Sequence, residues 1–344
     1  MLGRRLSVAI GAALAAGGCM SALAPPTAVS QTETYANPIY RHNAPDPSLI
    51  RAGDGTFYAF TTQSFYDGEK VNIPIIQSTD LLEWSFVGDA FPQLPAWALK
   101  GEDADTWAPH VIHRRGTYYL YFAARSAETR TMGIGVATAE HPAGPWKARR
   151  RPLITGPRYT TIDPFVWISK NGRPWLYWGS GGVSIRAQRL TGDGLGLIGP
   201  RRRILTPSTR PYEKLVEAPW LVHRKGFFYL FYSGDRCCYA KAHYAVLVAR
   251  SRSKLGPFKR FAGNPIVEAN RTFKAPGHIA TVADEQGRCW LLYHAMDAAE
   301  DTGLRYLMLD RIRWRRGWPQ VNEGMGPTTQ SAAPSVGAEM PRFC

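Results

Sequence analysis

Thr117-Tyr118-Tyr119-Leu120-Tyr121-Phe122, entered through a turn at Gly116 and preceded by Trp107-Ala108-Pro109, decides the fold. Successive residues of a strand point to opposite faces, so Tyr118, Leu120 and Phe122 line one side while Tyr119 and Tyr121 line the other. Both sides are apolar, and such a strand needs a sheet packed on each face. The same form recurs four more times. Asp46-Pro47-Ser48 leads to Thr56–Phe60, Ile162-Asp163-Pro164 to Pro174–Trp178, Glu217-Ala218-Pro219 to Phe227–Tyr232, and Pro276-Gly277-His278 to Cys289–His294.

The turn glycines, Gly55, Gly116, Gly172, Gly226 and Gly287, stand 61, 56, 54 and 61 residues apart. A near-constant period marks a repeat architecture. Each unit carries a second hairpin, as at Ile134–Ala137 before Gly144-Pro145-Trp146 and at Val246–Ser251 before Gly256-Pro257-Phe258. Two hairpins make a four-stranded blade, and five such units predict an all-β, five-bladed propeller in a single domain over residues 31–325. A helical solenoid lacks the required periodicity. A two-sheet sandwich would explain the strands but not the intervals. Residues 326–344 lack the pattern and read as a loosely held tail.

Residues 1–30 read as an export signal peptide. Arg4 and Arg5 precede a short apolar run, Leu6 to Ala16, and cleavage after Ala28-Val29-Ser30 fits. Arg4-Arg5 matches a twin-arginine signal only weakly, and Ala16-Gly17-Gly18-Cys19 is a poor lipid-anchor site because Leu is missing three residues before Cys19. The expectation is a periplasmic or secreted protein, with a lipid anchor at Cys19 as the variant. No later run is long and apolar enough for an integral membrane span.

The chain of 344 residues carries a formal charge of +15. The charge is scattered through stretches such as Arg149-Arg150-Arg151 and Arg201-Arg202-Arg203, with no nucleic-acid-binding signature. Cys237, Cys238, Cys289 and Cys344 remain beyond the signal, without metal-ligand spacing.

Innermost strands of a propeller converge on its axis, so equivalent points of the repeats meet at one mouth. Asp46, Trp107, Asp163, Glu217 and His278 are read as those points. Three carboxylates aimed at one cavity repel, and at least one pKa should rise. Such a cost is typical of acid–base sites and metal sites. Turn chemistry at Asp-Pro and a calcium site are the competing readings.

In this order, Asp-Pro-Ser, Trp-Ala-Pro, Ile-Asp-Pro, Glu-Ala-Pro and Pro-Gly-His resemble glycoside hydrolase family 43, inverting five-bladed propellers acting on arabinans, arabinoxylans and related glycans. The likeness runs from Asn37-Pro38-Ile39 to Trp318-Pro319. It implies Asp46 as general base, Glu217 as general acid and Asp163 as pKa modulator. His278 matches an axial His that would face a bound ion through water, a structural Ca2+ or a monovalent ion, with no cofactor for the chemistry itself. Inversion needs the two working carboxyls roughly 6.5–9.5 Å apart, leaving room for the attacking water.

Trp107, Phe165 and Trp220 are candidates to stack on sugar, with blade packing as the alternative. His110 stands where some relatives carry Asp. Cys237-Cys238 resembles the double Cys of the arabinanase-like branch, although the continuation to Tyr244 departs from it. A vicinal disulfide and a pair of small buried hydrophobes are the two readings there.

The implied function is an α-L-arabinofuranosidase or arabinan-cleaving hydrolase on a poly- or oligosaccharide. The alternatives are a β-xylosidase or β-D-galactofuranosidase, a retaining invertase-like propeller, and a non-catalytic glycan-binding propeller. The retaining group expects Arg before the Asp-Pro, where this chain has Ile162. A lectin would repeat the same residues in each blade.

Overall fold

The computed structural model describes residues 33–239, 241–341 and 344, together with 1–3 and 7. The export signal and Cys19 lie outside the described residues. Residues 33–344 form one compact unit.

That unit is a ring of five antiparallel sheets. The first blade pairs Ser48–Arg51, Phe57–Phe60, Pro74–Ser78 and Ser85–Asp89 in that order. The second is Thr106–Arg114, Thr117–Arg125, Met132–Ala139 and Lys147–Ala148, with Ile154–Thr155 also on the third strand. The third, fourth and fifth begin at Phe165–Ile168, Val216–Arg224 and Phe273–Ala283, each again with four strands in sequence order. Among the described residues the helical content is one 3-10 turn at Asn322–Gly324.

Five apolar clusters fill the five seams between blades, as the two-faced strands require. In the second blade Leu120 and Phe122 pack with Tyr58 and Phe60 of the first. Tyr121, on the opposite face, packs with Leu176 and Trp178 of the third. Phe57 and Ala59 turn the other way, onto Trp290 and Leu292 of the fifth blade. Each such buried aromatic contributes about 1.5–3 kcal/mol.

The ring is closed without a shared blade. Thr34–Ala36 pairs with Gln330–Ala332, and the Ile39 amide donates to Leu307 O at 2.9 Å on the fifth blade. Asn37 Nδ2 donates to Leu309 O while its Oδ1 accepts from the Leu309 amide, both at 2.9 Å. Residues after 325 are not a loose tail. Arg51 Nη2 donates to Gly337 O at 2.6 Å, the Glu285 amide donates to Ser335 O at 2.9 Å, and Cys344 Sγ lies 3.2 Å from Val282 O. The segment ties the fifth blade to the first.

Candidate active site

Each blade has, at the head of its inner strand, a residue with positive φ directly before a proline: Asp46, Ala108, Asp163, Ala218 and Ala275. A non-glycine residue in this region is held there by its surroundings. At four of the five seams the neighbouring blade supplies a bond to a backbone amide at the strand head. Ala108 N donates to Thr62 Oγ1 at 2.8 Å, Ala218 N to Asp163 Oδ2 at 2.9 Å, His278 N to Ser233 Oγ at 2.9 Å and Asp46 N to His294 Nδ1 at 3.0 Å.

This alignment corrects the sequence register. Asp46 and Asp163 occupy the pre-proline point, but Trp107 and Glu217 stand one residue before it and His278 three residues after Ala275. Bulges between Trp107 and His110, between Glu217 and Trp220, and between Gly277 and Ala280 interrupt the pairing there. A bulge re-aims a side chain, so Glu217 reaches the common mouth although it is out of step with the aspartates.

Asp46 is buried and crowded by nitrogen. Its Oδ1 lies 2.9 Å from Arg305 Nη1, 3.3 Å from His294 Nδ1 and 3.4 Å from His278 Nδ1, and Thr62 Oγ1 donates to its Oδ2 at 2.5 Å. Burial alone would push its pKa up. The Arg305 charge, followed by His278, outweighs that and holds the carboxyl well below the usual range. Asp46 is therefore ionised. Because His294 Nδ1 accepts the Asp46 amide, the imidazole carries its proton on Nε2, and burial followed by the Arg305 charge keeps it neutral. His278 is driven the other way. Burial would lower its pKa, but the Asp46 carboxylate raises it.

Asp163 and Glu217 are shifted oppositely to Asp46. Burial is the main cause for both. For Asp163 the charge of His278 opposes it, and the carboxylates of Glu217 and Asp46 add to it. For Glu217 the bonds from Ser180 and Tyr244 oppose it. Ser180 donates to Glu217 Oε2, and the Tyr244 hydroxyl donates to Oε1 at 2.7 Å. The raised value belongs to the two acids together. One carboxyl held ionised thus stands with two that bind protons more tightly than usual, the polarity that acid–base displacement at a sugar carbon requires.

Trp107 is half-buried and stacks on exposed Tyr159, with ring centres 5.8 Å apart. Phe165 presents no free face there, and Trp220 is partly covered. Phe165 is buried against His110 and Trp220, at 4.7 and 4.9 Å between ring centres, and the Trp220 indole donates to Thr281 Oγ1 at 3.0 Å. His110, Phe165 and Trp220 pack together along the inner strands, which removes the buried Phe165 as a sugar platform and leaves Trp220 partly exposed. Burial drops the His110 pKa to about 3. No group of three His, Cys, Asp or Glu side chains converges as a metal site among the described residues, and the direct contact of His278 is with Asp46.

Sequence reasoning missed Arg305, His294, Thr62, Ser180 and Tyr244. His294 ends a strand that the repeat had already marked. Tyr244 leaves a trace in Gly277, where a Cβ would come within 2.1 Å of the tyrosine ring. Cys237 and Cys238 are joined as a vicinal disulfide, and Cys237 packs beside Tyr244 and Ala275.

The model of the glycosyl hydrolases family 43 matches residues 35–319. The chain belongs to this family. It is a glycoside hydrolase. An extracellular exo-α-(1→5)-L-arabinofuranosidase of Cellvibrio japonicus is 27% identical over 308 residues, 81% of this chain and 86% of that protein. An extracellular endo-α-(1→5)-L-arabinanase of Bacillus subtilis is 28% identical, over 80% and 86%. Among solved structures, a family 43 endo-arabinanase from Bacillus licheniformis superposes with a TM-score of 0.68 and 29% identity, covering 82% of this chain and 98% of that one.

Proposed function

We propose that this family 43 hydrolase cleaves α-L-arabinofuranosyl linkages of arabinan-type glycans outside the cytoplasm, with inversion. The opposite electrostatic settings of Asp46 and of the Asp163–Glu217 pair carry the reading. Asp46, ionised, takes the proton of a water as it attacks the anomeric carbon. Glu217, protonated and aimed by Ser180 and Tyr244, delivers its proton to the leaving glycosidic oxygen from the other side. Asp163, bonded to the amide next to Glu217, is coupled to the acid, so that ionising either one makes ionising the other harder. The charges on Arg305 and His278 stabilise Asp46 until the water is in place. Trp107 with Tyr159 offers the aromatic face for sugar.

The two relatives named for arabinan support this sugar, and their extracellular names support export. The test is a panel of aryl α-L-arabinofuranoside, aryl β-D-xyloside, aryl β-D-galactofuranoside and linear arabinan, with the anomer of the first product followed by NMR. Release from the arabinosides with inverted configuration is expected. Exclusive action on the xyloside would replace the sugar assignment, and retention would remove the proposed roles of Asp46 and Glu217.

A further inference from the structure

The third blade carries a second polar feature beside this site. Its outer hairpin pairs Ile185–Leu190 with Leu197–Leu205, setting Arg186 directly opposite Arg203. Like charges opposed in this way destabilise a sheet. Arg201 and Arg202 extend the row, and all four arginines line a cavity of about 500 Å3 with Gly182, Val183, Ser184, Thr206 and Pro207. No acidic residue lines that cavity, and among the described residues none of the four arginines forms an ion pair. The Arg201 guanidinium lies 5.4 Å over the ring of Trp178, a buried residue paired opposite Arg186. Arg186 itself is held below its ordinary basicity, first by burial and then by the charges of Arg201 and Arg203. The cluster lacks a counter-ion and would be relieved by one.

Its position says what kind of anion. Ser180, which holds Glu217, is two residues from Gly182, at most about 7 Å of chain. The other wall, Thr206-Pro207, begins the segment that leads to Glu217. Ser184 and Thr206 close the two walls together with a hydroxyl–hydroxyl contact of 3.1 Å. Ser180 thus joins Glu217 to the rim of this cavity along the chain, and guanidinium forks match a carboxylate by paired hydrogen bonds.

We infer that Arg186, Arg201 and Arg203 form an anionic subsite that takes a uronate carboxylate of an acidic polysaccharide carrying the sugar to be cleaved. The inference deepens the proposed function and rests on it. The substrate class becomes a neutral side-chain sugar on, or next to, a uronic-acid-bearing glycan.

Calorimetry on the full chain tests it, with an oligogalacturonide as the carboxylated probe and its methyl ester as the neutral one. The acid form should bind and weaken as salt rises, while the ester should bind much less. Reversing two charges, Arg201→Glu with Arg203→Glu, should weaken the acid form by about tenfold or more. The same reversal at Arg313 and Arg315, on the fifth blade, should leave it unchanged. Equal binding of acid and ester overturns the inference, as does an equal loss from the two reversals, which would mean attraction by net charge alone. Turnover of aryl α-L-arabinofuranoside by the unaltered protein checks the proposed function separately, so the two failures are told apart.

Discussion

The Tyr244 hydroxyl donates to Glu217 Oε1 at 2.7 Å, and the ring that carries it fills the space that a side chain at Gly277 would need. The Gly of the Pro-Gly-His motif is thus explained by a residue 33 positions earlier. Gly277→Ala should push the ring aside and spoil the aim of Glu217. Overpacking of this kind costs about 1–3 kcal/mol of stability, and the displaced acid should separately lower turnover by roughly tenfold or more. Unchanged kcat in a folded Gly277→Ala protein would sink the explanation.

Glu217→Gln and Asp46→Asn each remove one half of the acid–base pair while keeping size. Turnover of an aryl arabinofuranoside should drop by about 10²–10⁴ in each, with thermal unfolding showing both variants folded. Near-normal turnover in either would defeat the assignment of roles.

Arg305→Met removes the charge nearest Asp46. Asp46 is depressed in the intact protein, so its activity is lost only as pH falls through that low value. Without Arg305 the pKa rises, and the acidic limb of the pH–rate profile should move to higher pH. A limb that stays in place, or moves lower, contradicts the contact as the cause.

Asp163 and Glu217 bind protons more tightly in the folded chain than in the unfolded one. Their contribution to stability is complete at and below about pH 4, the ordinary carboxylate value. It declines as pH rises toward neutrality, because the folded state then binds more protons than the unfolded state. His278, also raised, acts in the same direction. Asp163→Asn should flatten this slope, so its Tm should gain on the parent's between about pH 4 and neutrality. A gain that appears only at the acid end would reverse the sign and refute it.

The propeller was legible because its signals are local and repeated. Gly55, Gly116, Gly172, Gly226 and Gly287 all adopt positive φ at tight turns, where glycine is cheapest, and so recur at a fixed interval. The acids were legible because they sit inside that recurring frame. Register at the strand heads was not, since a bulge shifts Glu217 and Trp107 by one position without a mark in composition. Arg305 and Tyr244 were hidden for a different reason. Each acts across a contact between distant segments, and neither lies in a repeated motif. Phe165 was misjudged because an aromatic residue near a mouth and one packed beneath it look alike in sequence.

The closed ring also sets when the enzyme comes alive. Asp46 is made early in synthesis, but Arg305 and His294 follow it by 259 and 248 residues. A ribosome-bound chain that stops short of the fifth blade holds the base without the partners that define its charge. Hydrolytic competence is therefore conferred last, by the meeting of the two ends, and a truncated product should be inert rather than merely slower.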